Sequence, residues 1–218
     1  MHKSNPQIYK IVNYLIKIIF MEIVPKQETG KQYDNIETVI CANTLDAEEK
    51  YSSACTKLFL ISEWGKIGST ILQTEFCLCN SEGKEVSQTP QKGDYIRINL
   101  AGPGSKSGEG FDWVQIEQIA IKAEENDTQL TSIKVRPAAC PLNNSDSIAH
   151  FFDDAATTTF IVSRTNNKVT AEIHGRNEEP NTNTTHIVDN VRNTVVATFA
   201  AVKFSDIQWK SLCEGFLA

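Results

Sequence analysis

The chain has 218 residues, 40% of them hydrophobic and 22% charged, and a formal net charge of -6. That composition is a globular protein's and excludes wholesale disorder and a polytopic membrane protein. An acidic chain gains nothing from counterion release on DNA or RNA, so no nucleic-acid partner is expected.

The length argues for one domain with extras, large enough to bury its own core without disulfide or metal support. The six cysteines, Cys41, Cys55, Cys77, Cys79, Cys140 and Cys213, form no C-x-x-C pair. Scattered thiols of this kind read as reduced, which implies a cytoplasmic protein with no metal.

Residues 8–20 are an apolar run broken by Lys10, Asn13 and Lys17. The run is short of the roughly twenty residues that a membrane span needs, and no small-residue cleavage site follows it. Three readings stay open: a natural start at Met21, an amphipathic helix docked on the domain or on a membrane surface, or an uncleaved export signal. Membrane contact is not expected unless through residues 8–20. Residues 26–34 are polar and read as a linker. The division is therefore an N-terminal extension, 1–32, and a single domain, 33–218.

Residues 36–42 read as a first strand. Asn43 and Thr44 are helix N-caps, with Asp46, Glu48 and Glu49 in the first turn to suit the helix dipole. Ala47, Tyr51, Ala54, Cys55, Leu58 and Phe59 then recur at the three-and-four spacing of a helix face. The pattern breaks around Trp64-Gly65.

From there to Arg176 the period is two. Thr74, Phe76 and Leu78 share a face, as do Ile96, Ile98 and Leu100, with turns at Ser81-Glu82-Gly83-Lys84 and at residues 90–94. Further strands are predicted over residues 113–121 and 130–135, and a hairpin over 157–164 and 169–176 turns at Thr165-Asn166-Asn167. One-sided alternation with short turns predicts an antiparallel meander with one wet face. Residues 140–152 are irregular and read as a loop or a short helical turn. The helical period returns with Val188, Val191, Val195, Thr198, Phe199 and Val202. A short helix follows, with Ser205 and Gln208 as a capping box and Gly215 as its stop.

Strand, helix, about six strands and a long last helix is an order that resembles the START-like (SRPBCC, helix-grip) superfamily. The stretch of residues 54–67, an apolar helix ending in the turn at Trp64, carries the local likeness. The resemblance spans residues 33–204 by element order more than by motif. It implies an α+β fold in which a curved antiparallel sheet of about six to seven strands wraps a long C-terminal helix. It also implies a cavity between the two. The long loop at 101–110, the insertion at 140–156 and the extra last helix depart from the pattern and leave the subfamily, and so the ligand, unassigned.

Three features invite chemistry. The loop Gly102-Pro103-Gly104-Ser105-Lys106-Ser107 lacks the G-x-x-x-x-G-K-[ST] spacing and precedes a strand, so it reads as a hairpin loop rather than a phosphate cradle. In a cup of this kind it could gate the mouth. His150 with Asp153, and His174 with Arg176, could run acid–base chemistry or bind a metal if the two clusters met. The plain alternative puts His174 and Arg176 on the solvated face beside Glu172.

The leading expectation is a binding module. It would hold an apolar small molecule or lipid in a cavity lined by Phe76, Ile98, Val114, Ile133, Phe160, Val191, Val195 and Phe199. Two alternatives remain: an enzyme (cyclase, hydrolase or lyase) using His150, Asp153, His174 or Arg176, and an interaction protein with a filled core. No cofactor is expected, and the sequence sets no oligomeric state.

Overall fold

The structure is a computed structural model that describes residues 23–67, 74–100, 104–124, 127–182, 191, 193 and 208–218. Seven strands form one antiparallel sheet in the order β1-β7-β6-β5-β4-β3-β2. They are β1 (Lys31–Ile40), β2 (Glu75–Cys79), β3 (Tyr95–Asn99), β4 (Asp112–Glu124), β5 (Thr128–Pro137), β6 (Thr157–Thr165) and β7 (Lys168–Glu178). Strands β2 to β7 meander, and β1 returns to pair with β7. Helix α1 (Thr44–Phe59), a 3-10 turn (Ile61–Glu63) and the single turn α2 (Trp64–Ile67) fill the crossover from β1 to β2; α3 (Lys210–Leu217) ends the chain. The α+β class, the meander and the strand–helix–six-strand order of a helix-grip fold are all present. Of the long predicted helix only Val191 and Asn193 are described, both helical; the rest of it, Val195 and Phe199 included, lies outside the described residues.

Helix α1 starts where the sequence says it must. Asn43 has extended backbone and its side chain accepts from Asp46 N at 2.9 Å, a cap that contributes about 1 kcal/mol. Ala47, Ala54 and Leu58 are buried on its inner stripe. The small alanines let the helix approach the sheet closely, and Tyr51 Oη meets Thr131 Oγ1 of β5 at 2.8 Å. Helix α3 packs against α1, α2, β1 and β7. Lys50 and Lys57 of α1 donate to the carbonyls of Leu217 and Ala218 and of Gly215 and Ala218 respectively. Two cations thus sit on the negative end of α3.

Trp64 joins these parts. Its indole N–H is shared between Lys57 O and Leu58 O, two carbonyls of the last turn of α1. Its ring meets Phe76 of β2, Phe160 of β6 and Phe216 of α3 at centroid distances of 5.7, 4.5 and 6.1 Å. The tryptophan turn is therefore the keystone of the inner core.

Several expectations need correction. Strand β1 begins at Lys31, so the stretch read as a linker contains its start, residues 31–34. Gly215 does not end α3, which continues to Leu217. It is there because a Cβ would come 2.4 Å from Ile67 O. Ser205 lies outside the described residues, and α3 begins after Trp209 with no side-chain cap. Residues 140–152 take the loop form of the two that the sequence allows; an isolated bridge pairs Ala139 with Ile148, and Cys140 and Ala149 cover the outer side of Trp113 together with Cys79. The glycine loop is not a gate in its described part. Gly108 and Gly110 donate their N–H groups to Ser105 O, and Gly108 O accepts from the Trp113 indole. These bonds hold residues 104–111 on the outer face, away from the helices. All six cysteines are free thiols.

On the opposite face of the sheet, Ile23 and Val24 are buried against Leu130 and Ile161. The apolar run at residues 8–20 lies outside the described residues, and no helix among those described is long and apolar enough to cross a membrane.

Candidate functional site

Strict alternation fixes which residues of β7 face the helices. Val169, Ala171 and Ile173 are core residues packed with α1 and α3, so Gly175 follows on the inner face and Thr170, Glu172, His174 and Arg176 point outward. Alternation alone would send Glu178 outward too. The register with β1 shows why it does not. Tyr33 pairs with Gly175 and Lys31 with Glu178, so Arg176 and Asn177 together stand opposite the single residue Gln32. This is a β-bulge, and Asn177 carries its left-handed backbone at φ 57°. Bulges re-aim the side chain that follows, and here the phase change brings Glu178 round to the inner face.

The bulge is braced from the N-terminal side. Asn177 Oδ1 accepts from Glu28 N at 2.7 Å and Thr29 N at 3.1 Å, and Asn177 N donates to Gln27 Oε1 at 2.9 Å. Residues 26–30, outside any strand but for their neighbour Lys31, are therefore part of the device that turns Glu178 inward.

Inside the bulge lies a cavity of about 80 Å³ between the inner face of the sheet, the Trp64 turn and the start of α3. Its walls are mainly apolar and strongly aromatic: Trp64, Phe76 and Phe160 on one side, Phe151 and Phe152 from the insertion on another, and Trp209 ahead of α3. Trp209 closes on Phe76 and Phe160 at 6.4 and 5.7 Å.

A few polar groups interrupt these walls. Glu178 lines the space, is 6% exposed, and has no hydrogen bond or ion pair with a described residue. Burial pushes its carboxyl pKa up to about 8, against the weaker pull of Arg176 and Lys31. Tyr33, beside it, is held well above its ordinary value by burial and then by the Glu178 charge, and its hydroxyl bonds to Thr158. Both groups therefore carry their protons at neutral pH. Thr74 also lines the cavity, and its buried hydroxyl has no hydrogen-bond partner. A buried hydroxyl without a partner costs about 1–3 kcal/mol, a cost that a bound polar group would relieve.

The expected lining residues divide. Phe76, Ile98, Val114 and Phe160 are in the walls. Ile133 is fully buried in the core beneath α1 and does not reach the space. Val191 was expected to line it but is 62% exposed.

The two polar clusters meet along the backbone, not through their side chains. Phe152 bridges Pro180, and Asp153 N donates to Glu179 O. His150 ends in the cavity wall. Its Nδ1 accepts from Phe152 N at 3.0 Å, which leaves the proton on Nε2. Asp153 caps its own turn by accepting from Ala155 N. His174 and Arg176 stand on the outer face, as the plain alternative had it, although that face is not wet there. His174 is 5% exposed and bonds Glu172 and Asp34, while Arg176 is spent on Asp34, Tyr33 O and Gly175 O. Burial opposes the charged imidazolium, but the bonds to Glu172 and Asp34 outweigh it and raise the His174 pKa. Among the described residues no group of three His, Cys, Asp or Glu side chains is placed to hold a metal ion.

Glu178 belongs to the polar run of residues 174–179 that the sequence displays, but its inward turn is not legible there. The signal was present in Asn177, a residue that tolerates left-handed backbone, but a bulge cannot be told from a strand end without the partner strand.

The sequence matches no family model and no curated protein. Among solved structures, a hypothetical protein of Helicobacter pylori, jhp0584, is similar over 88% of this chain and 91% of its own, at 10% identity and a TM-score of 0.42. A norcoclaurine synthase point mutant from Thalictrum, solved with a transition-state analogue, is similar over 86% and 98%, at 9% identity and 0.33. Major latex-like protein 151 of Panax ginseng is similar over 84% and 99%, at 15% identity and 0.30. These are distant likenesses of chain course; the architecture rests on the strand order and registers.

Proposed function

We propose that this protein is a binding module that takes a small, largely apolar molecule into the cavity between the inner sheet face and the C-terminal helical segment. One observation carries the reading: an aromatic-walled space holds a buried carboxyl, Glu178, with no hydrogen bond or ion pair to a described residue, and a buried hydroxyl, Thr74, with no hydrogen-bond partner. Protein interiors normally satisfy such groups, and convergent polar groups in an apolar pocket are the usual form of a ligand site. The size sets a limit. At about 80 Å³ the space suits a single ring or a short chain, well below the several hundred Å³ that drug-sized ligands occupy.

Native mass spectrometry of the purified protein, with a thermal-shift panel of one-ring compounds, tests this. A retained small molecule, or stabilisation that disappears when Ile98→Trp fills the space, is the result expected. A clean apo mass with no shift across the panel would leave the core a filled one and the protein an interaction module.

A second reading has one observation in its favour. His150 and Glu178 line the same cavity, so a bound molecule would lie between two groups able to move protons. Deuterium exchange into a bound carbonyl compound in D2O, lost in His150→Gln, would carry it; unchanged exchange would end it.

A further inference from the structure

Granting that the cavity is a ligand site, its chemistry narrows the ligand class. We propose that it takes a small amine, whose protonated nitrogen pairs with the Glu178 carboxylate and whose apolar body lies among Trp64, Phe76 and Phe160.

Charge is the first argument. No Lys or Arg is among the described residues that line the cavity, whereas Glu178 is. The guanidinium of Arg176, which pulls on Glu178, is on the outer face and already holds Asp34 at 2.7 Å. An anionic head group, such as a fatty acid's carboxylate, would therefore be buried with no counter-ion among the described lining residues, a placement that costs several kcal/mol. A cation meets the opposite situation. It gains the Glu178 carboxylate once that group gives up its proton, and the ring faces around it add cation–π attraction that is strongest where water is excluded.

The second argument is the bulge. The sheet departs from regular pairing at Arg176 and Asn177, and a left-handed non-glycine residue is stabilised there by three hydrogen bonds to residues 27–29. The result is to bury one carboxyl where plain alternation would have left it outside. Neutral groups also line the space: the Tyr33 and Thr158 hydroxyls bond each other, and Thr74 has a hydroxyl that can accept an N–H.

Because Glu178 carries its proton at neutral pH when the cavity is empty, pairing with an ammonium expels that proton. The O–H bond of the carboxyl breaks, the proton passes to solvent, and the carboxylate–ammonium pair forms. Binding near pH 7 should release close to one proton per ligand.

Three one-ring probes of nearly equal size separate the possibilities: benzylamine, benzyl alcohol and benzoate, titrated calorimetrically into the full chain in buffers of different ionisation enthalpy. Benzylamine should bind at least tenfold more tightly than benzyl alcohol, benzoate should not bind, and proton release should accompany the amine alone. In Glu178→Gln, benzylamine should lose at least tenfold and its proton release should vanish, while benzyl alcohol still binds; the latter shows that the variant is folded and its cavity intact. If benzyl alcohol binds but the amine is no tighter and releases no proton, the amine assignment is wrong and the ligand site stands. If none of the three binds, the site itself is wrong and the assignment falls with it.

Discussion

The Tyr33 ring lies where a side chain at position 175 would have to go: a Cβ on Gly175 would fall 2.1 Å from Tyr33 Cε1. The two residues face each other across β1 and β7. The glycine is thus what lets an aromatic side chain lie down against the sheet and present its hydroxyl beside Glu178. Gly175→Ala should destabilise the protein by about 1–3 kcal/mol through overpacking. It should also displace Tyr33, so benzyl alcohol affinity should drop in parallel. Urea unfolding and the same titration check both; a wild-type midpoint would refute the contact.

Gly215 gives a prediction in which two principles have opposite signs. Glycine inside a helix costs about 1 kcal/mol relative to alanine, so propensity alone says that Gly215→Ala stabilises α3. The close approach of Ile67 O, 2.4 Å from the would-be Cβ, says the reverse, and backbone cannot yield as a flexible side chain can. The expected result is a net loss of about 1–3 kcal/mol, read as a lower urea midpoint at unchanged slope.

Glu178 should make the protein less stable as pH rises. Its folded pKa, about 8, is above the ordinary value of 4.5, so the native state binds the extra proton between those limits. Stability then falls as pH climbs from 4.5 toward 8 and stays low above it. Over the full span the effect is on the order of 3 to 5 kcal/mol. Glu178→Gln removes the titration. The variant should be more stable than wild type at about pH 8.5, with the gap closing near pH 4.5; a pH-independent gap would show that the carboxyl is not buried as described.

His174 titrates on the other face with its own sign. Its raised folded pKa means that the charged imidazolium between Glu172 and Asp34 stabilises the fold fully below its unfolded value of 6.5. That contribution is lost as pH rises through the folded pKa. His174→Gln should therefore cost more stability at about pH 5.5 than at about pH 9. A penalty equal at both would mean that the ring is held as a neutral group.

How far the sequence could be read depends on what each feature needs. The α1 stripe, its Asn43 cap and the Trp64 turn are set by neighbours three and four residues away, so their pattern is visible in one dimension. The meander is legible because inward apolar residues such as Ile96 and Ile98 or Phe160 and Val162 recur at a period of two. The inner-face residues Phe76, Ile98, Val114 and Phe160 follow from that period, and all four reach the cavity walls. Ile133 obeys the same period and misses the walls, because which part of a sheet face lies under a helix is decided by packing across distant elements. The inward turn of Glu178 was hidden for a different reason. The bulge exists only as a register between β1 and β7, residues 140 or more positions apart, and its brace comes from a polar stretch that reads as a linker. Val191 shows the limit of the helical period: the apolar stripe was drawn from spacing alone, and spacing does not say which turns of the stripe are covered.

The most direct test of the account uses the three tryptophans as reporters. Trp64 and Trp209 line the cavity, whereas Trp113 is buried on the outer face with its indole N–H on Gly108 O. In a nitrogen-15 spectrum of the indole groups, benzylamine should move the Trp64 and Trp209 resonances with one saturating curve and leave Trp113 in place. Shifts confined to Trp113, equal shifts of all three, or none at saturating ligand would contradict a ligand site between the inner sheet face and the start of α3.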